Sequence, residues 1–260
     1  MPELSALVWV ALAVGAAVIG LSKAALPGAA TLAVALFAAV LPAKQSTGTI
    51  LVLLIVGDVF ALWAYRRHAD IRTLIRLAPA VIVGLVGGAV FLAFASDTWV
   101  RRMIAILLLT VVAVSLWRRA RQARREAAPG TAGSHQPAPG TAGSHRAAAA
   151  TYGSLAGFTT MVANAAGPVM SMYFLAARFP VKAFLGTSAW FFAIVNVTKL
   201  PFSIGLGLIT PSGLLVDLVL IPVVVGAAFV GRAIAGRISQ VLFDRIIITL
   251  TVVGSLYLLV

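Results

Sequence analysis

The sequence predicts an all-α polytopic membrane protein of two inverted repeats with discontinuous or re-entrant helices, about 8–10 membrane segments in all. Composition is the first ground: 61% hydrophobic residues, 10% charged residues and a mean hydropathy of +1.05 leave too little polar surface to cover a soluble globule. Duplication is the second. Gly20-Leu21-Ser22-Lys23 with Pro27-Gly28 recurs as Gly157-Phe158-Thr159-Thr160 with Gly167-Pro168, and Leu41-Pro42-Ala43-Lys44 through Gly48-Thr49 recurs as Phe179-Pro180-Val181-Lys182 through Gly186-Thr187. Third, each copy is broken early by glycine and proline, the pattern of paired broken helices around a central binding site.

In chain order, the first pair of apolar segments, about 7–21 and 29–41, is near or below spanning length. Lys23 to Gly28 between them cannot continue a regular helix cheaply, because proline lacks a donor and clashes with the preceding turn. The pair is either two thin spans or one re-entrant hairpin. Runs of about bilayer length follow at about 50–65, 77–95 and 100–117. The second copy repeats this order, with a short pair at about 152–162 and 169–177 around Asn164 to Pro168, then runs at about 184–206, 214–230 and 241–260. Hydrocarbon offers no water to bare amides, so these runs are helices, and they are apolar on every side, which excludes a β-barrel.

Charge orients the chain, since Lys and Arg collect in cytoplasmic loops. Arg66, Arg67, Arg72, Arg76, Arg118, Arg119, Arg121, Arg124, Arg125, Arg146, Arg178, Lys182, Arg232, Arg237 and Arg245 fall on one side, against Lys44, Arg101 and Arg102 on the other. Both termini are therefore expected outside. Each repeat makes an odd number of crossings, so the halves enter from opposite faces, as alternating access requires. The first residues carry no positive n-region, so no leader cleavage is expected.

Residues 1–117 form the first membrane repeat, 118–149 a cytoplasmic basic and low-complexity linker, and 150–260 the second repeat. In the linker an arginine run precedes a tandem Ala-Pro-Gly-Thr-Ala-Gly-Ser-His, a composition that cannot bury a core. The arginines are expected to meet anionic lipid headgroups at about 1 kcal/mol each. His135 and His145, without acidic or thiolate neighbours, make a poor metal cage. The net charge of +13 is accounted for by inward loops, so no nucleic-acid partner is expected; the expected partners are lipid, a small anionic substrate and a second copy of the chain in a homodimer.

No cysteine is present, which excludes disulfides and thiol chemistry. All three histidines, His68, His135 and His145, fall in loops or linker, so no Ser–His dyad sits at membrane depth, and neither a His-Glu-x-x-His pattern nor a phosphate-cradling loop occurs. No cofactor, no metal and no enzymatic activity are expected. A non-transporting scaffold would have no use for a duplicated pair of broken helices with charges beside the breaks.

An oxyanion leaving water needs donors and positive potential. Helices starting after Pro27 and Pro168 offer unpaired N–H groups and a positive dipole end, and Gly28 and Gly167 allow close approach. Ser22, Lys23, Thr159, Thr160 and Asn164 are candidate side-chain donors beside these breaks. Lys23 either ligates the anion or snorkels to the cytoplasmic face, and Lys199, beside Pro201, is either a ligand or an interfacial anchor. Asp58 aligns with Asn196 in the second copy. As an intramembrane acid, Asp58 is either a coupling proton carrier, a partner of Lys23 or Lys199, or a group fixing the Arg66–Arg67 loop.

Gly57-Asp58, Ala61-Leu62, Tyr65-Arg66-Arg67-His68, Asp70, Arg72, Leu74 and Arg76-Leu77, with the two glycine–proline breaks and Gly186-Thr187-Ser188-Ala189-Trp190-Phe191-Phe192, resemble the sulfite exporter TauE/SafE family, also called the four-toluene sulfonate uptake permeases. The resemblance covers nearly all the chain except the linker and departs from the family's commonest glycine-rich second motif at Val162 to Ala166. It implies a multi-pass inner-membrane permease for small sulfur-containing anions such as sulfite or organosulfonates, usually outward. Uptake by anion/H+ symport is the other direction such a site could serve.

Overall fold

The computed structural model describes residues 4–24, 29–126, 142–177, 179–234 and 240–259. Ten α-helices lie among the described residues: α1 (Ala6–Ala24), α2 (Ala30–Val40), α3 (Ala43–Tyr65), α4 (Ile71–Phe94), α5 (Asp97–Glu126), α6 (Ala142–Ala163), α7 (Ala166–Ala176), α8 (Val181–Gly205), α9 (Pro211–Ile234) and α10 (Gln240–Tyr257). Six of the helices are long and apolar enough to cross a membrane, those within α1, α3, α4, α5, α8 and α9. The chain is an all-α, multi-pass membrane protein. Its outer surface is accordingly apolar, with Val59, Ile75, Val83, Phe94, Leu218 and Val253 exposed.

The first apolar run, expected at or below spanning length, is a full helix of 19 residues that carries Ser22 and Lys23 in its last turns. Its polar end is tolerated because Lys23 finds a counter-charge on α3. Next in the chain, α2 and α7 have 11 residues each, a rise of about 16 Å and about half the hydrocarbon core, too short to cross it as straight helices. Along the fold-back, Gly15 of α1 lies against Phe37 and Ala33 of α2. The helix expected to begin after Pro168 begins at Ala166, with Pro168 in its first turn, where a missing N–H costs nothing. Part of the expected linker is helical: α5 runs on to Glu126 and α6 starts at Ala142, through alanine- and arginine-rich sequence of good helix propensity. His135 and the rest of 127–141 lie outside the described residues, as do Gly28 and Arg178.

Packing repeats between the two sets of five. The most extensive contacts are α4 with α6 and α1 with α9. In the first, Gly157 lies on the Val81 carbonyl and on Leu85; in the second, Gly20 lies on the Val224 carbonyl and on Ala228. Each valine follows an interior proline, Pro79 in α4 and Pro222 in α9, by two residues. Small residues at these seams let backbones touch, which is the packing available where lipid offers no hydrophobic drive. Helices α3 and α8 run antiparallel: Gly48, near the start of α3, abuts Leu208 just past the end of α8, and Gly186, near the start of α8, abuts His68 and Ala69 just past the end of α3.

Helix ends are closed by side chains from neighbours. Asp97, at the start of α5, accepts from the backbone N–H groups of Ala43 and Lys44 at 3.0 and 2.9 Å, capping α3. Asp70 caps α4 through Thr73 N–H at 3.2 Å, while its own N–H donates to Thr187 Oγ1 at 2.9 Å on α8. Thr210 Oγ1 accepts from Gly213 N–H at 3.0 Å and caps α9.

A single methyl at Gly20 or Gly157 meets backbone atoms of the facing helix, so Gly20→Ala and Gly157→Ala are expected to cost about 1–3 kcal/mol each. Gly226, with nothing near its missing Cβ, is the control: Gly226→Ala should leave the melting temperature in detergent unchanged or raise it.

Candidate functional site

One cavity of about 90 Å3 lies between the two hairpins, well above the roughly 10–15 Å3 that one water needs. Two stripes at helical spacing form its walls, Leu54, Asp58, Ala61 and Tyr65 on α3, and Leu185, Ser188, Phe192 and Asn196 on α8. From the hairpins come Ser22, Lys23, Ala30 and Thr31 on one side, and Thr160, Asn164, Gly167 and Ser171 on the other. The starts of α2 and α7 both line the cavity, and their N-cap residues, Ala29 and Ala165, carry no capping side chain. Their positive ends and leading N–H groups therefore border the same space.

At the crossing of α3 and α8 the charges are concentrated. Lys23 Nζ donates to Asp58 Oδ1 at 2.5 Å, and Asn196 Nδ2 donates to Asp58 Oδ2 at 2.7 Å. Both carboxylate oxygens are thereby engaged, and Asp58 is 2% exposed. Gly57 makes the approach possible, since a Cβ there would come within 2.8 Å of Lys23 Cγ. The ammonium also lies 4.9 Å from the centre of the Phe192 ring, a cation–π contact. Asn196 Oδ1 is buried with no hydrogen-bond partner among the described residues.

The second hairpin is held by Lys199. Its Nζ donates to Asn164 Oδ1 at 2.5 Å and to the Thr160 carbonyl at 2.7 Å, with Thr160 Oγ1 at 3.4 Å. Three acceptors around one nitrogen match the three donors of an ammonium. That charge sits at the C-terminal end of α6, where the helix dipole favours a cation. Asn164 carries φ +50°, a left-handed turn that Asn tolerates better than most residues, and its Nδ2 donates to the Thr47 carbonyl at 3.1 Å. Thr47 Oγ1 returns a bond to the Val162 carbonyl at 3.3 Å.

Of the residues singled out from sequence, Ser22, Lys23, Asp58, Thr160, Asn164, Gly167 and Asn196 meet at this cavity. Thr159 and Lys199 stand behind its wall; Thr159 bonds back to the Leu155 carbonyl at 2.7 Å, and Lys199 is fully buried. Gly28 lies outside the described residues. Sequence reasoning passed over Tyr65, Ser171, Ser188 and Phe192. The spacing of Ser188, Phe192 and Asn196, one helical turn apart, was the available signal.

The profile described as Sulfite exporter TauE/SafE matches residues 12–258, both hairpins and both long-helix sets included. The chain belongs to the TauE/SafE family. As a TauE/SafE member it is a small-anion membrane transporter and not an enzyme. No curated protein and no solved structure matches the chain significantly.

Removing the charge of Asp58 leaves Lys23, half-buried at the cavity wall, without its partner. Asp58→Asn is therefore expected to lower stability by about 3–5 kcal/mol, and the Lys23→Gln/Asp58→Asn double variant to recover part of it, read from thermal unfolding in detergent. Lys199→Met leaves Asn164 Oδ1 unpaired, at about 1–3 kcal/mol, while the Thr160 carbonyl keeps the Asn164 N–H, and should lower the melting temperature with Lys23 and Asp58 intact.

Proposed function

We propose that the protein is a secondary transporter that exports small sulfur-containing oxyanions, sulfite or organosulfonates, through the cavity between its two hairpins. The observation that carries this reading is the joint lining of one cavity by two helix starts, with alanine at each N-cap, and an ammonium, Lys23. Lys23, Asp58 and Lys199 together hold one net positive charge beside it, which suits one negative charge on the solute. Desolvated oxyanions are bound by such N–H donors and dipole ends without further cations.

In this reading the halves are inverted repeats, residues 1–117 and 150–260. The antiparallel α3 and α8, the exchanged α4–α6 and α1–α9 seams, and the contact between Asp58 and Asn196, equally far along their helices, support a two-fold axis through that contact. Ser22, Lys23, Thr160, Asn164, Gly167 and Asn196 bind the anion, Gly28 and Thr159 support the breaks, and Lys199 positions the second one. Tyr65, Leu185 and Ser188 reach toward the arginine-rich face, which the charge bias assigns to the cytoplasm, so the cavity is read as facing inward. Both termini then lie outside, in an inner membrane. A potential negative inside favours anion exit by about 2.3 kcal/mol per charge per 100 mV, so export needs no coupled ion. Uptake would need a cation, and Asp58 is already engaged by Lys23 and Asn196.

The test is radiolabelled sulfite and organosulfonate flux from proteoliposomes of the full chain, with voltage and pH gradient imposed separately. Voltage-driven efflux is expected. Lys23→Gln removes a charge-assisted hydrogen bond worth about 1.5–3 kcal/mol and should weaken anion binding about tenfold to a hundredfold with insertion intact. Unchanged flux in that variant removes Lys23 from the site.

A further inference from the structure

We propose that Asp217 is a proton-carrying site, separate from the anion cavity, which lets a pH gradient act on transport. The proposal rests on the transporter reading above and adds a coupling group to it. Helix α9 buries one stripe, Gly213, Asp217, Leu220, Val224 and Ala228, at helical spacing. Asp217 is its single ionisable member, 2% exposed, and its Oδ1 has no hydrogen-bond partner among the described residues.

Packing does not require an acid there. Counted back from the interior prolines Pro79 and Pro222, Leu74 of α4 stands where Asp217 stands in α9, and Leu74 packs against the apolar core. A half-buried leucine therefore serves at the matching position. The helices packed most closely on α9 are α1 and α3. Their charged and titratable residues among those described are Lys23 on α1, and Lys44, Asp58 and Tyr65 on α3. Lys23 and Asp58 hold each other, and Lys44 and Tyr65 sit in the first and last turns of α3.

An ionised carboxylate without a partner is costly at membrane depth, whereas the acid form is neutral and can donate its O–H. The two carboxylates thus divide the labour. Asp58, with both oxygens engaged, is the counter-charge of Lys23, while Asp217 takes a proton from water when the α1–α9 seam opens to one side and returns it to water on the other. A metal cation is a poor alternative occupant, since hard cations need several oxygen ligands and the stripe supplies one carboxylate.

Two measurements on the full chain in proteoliposomes decide this. Infrared difference spectra over a pH titration should contain a carboxylic-acid C=O band that Asp217→Asn removes and Asp58→Asn keeps. A spectrum in which Asp217→Asn removes no such band overturns the proposal. With radiolabelled sulfite, an imposed pH gradient should change net flux in the wild type, and Asp217→Asn should lose that response while keeping sulfite exchange at equal pH. A gradient response kept in Asp217→Asn, or missing from a wild type that does move sulfite, overturns it too. If Asp217→Asn does not fold, Asp217→Leu, which copies the α4 seam, replaces it in both arms. Should the wild type move no sulfite, the anion reading fails by itself, and the infrared arm still decides whether Asp217 carries a proton.

Discussion

The arrangement depends on one ion pair made almost wholly out of water, at the wall of the cavity. Lys23 ends α1, Asp58 lies two-thirds of the way along α3, and Asn196 of α8 takes the second carboxylate oxygen. Two charges removed from water cost several kcal/mol each, and their attraction offsets this only when the remaining lone pairs are also satisfied. Asn196 supplies that satisfaction, so three helices from both halves are bound to one carboxylate. Gly57 is part of the same solution, because any side chain there would occupy the path of the lysine stem.

The residues flanking the two breaks make different contacts. Asn164 is tied to Thr47 of α3 and to Lys199 of α8, a closed network at a left-handed turn. Beside the other break, Lys23 reaches across to Asp58 and Phe192. A fully bonded polar network rigidifies its surroundings, whereas a lysine with a long, flexible stem holds by its end alone. Such a lysine can exchange part of its carboxylate contact for an anion in the adjoining cavity without disturbing the second break.

Much of this was legible in the sequence. Long apolar runs, glycine–proline breaks and the alignment of Asp58 with Asn196 rest on local pattern, which the chain displays directly. What escaped was set by neighbours distant in sequence. Lys199 reads as either a ligand or an interfacial anchor until two oxygens of Thr160 on α6 and the Asn164 side chain just past it are seen to surround it. Asp97 reads as the start of one helix, yet it caps another. Ser22 and Lys23 shortened the apparent first span because hydropathy charges them in full, whereas the counter-charge on α3 makes their depth tolerable. Asp217 was absorbed into a strongly apolar run, where one acid barely alters the average.

Asp58 and Asn196 touch although they occupy the same place in their respective helices. Two identical, unfused copies of such a half, assembled head to tail across a bilayer, could not form this contact. Like residues would meet there, acid against acid with mutual repulsion, or amide against amide with nothing to neutralise the lysine. Fusing the copies into one polypeptide frees each to mutate alone, and an unlike pair becomes heritable. Separating the halves and pairing either with itself should thus forfeit the centre of the molecule while leaving its outer helices chemically unaltered.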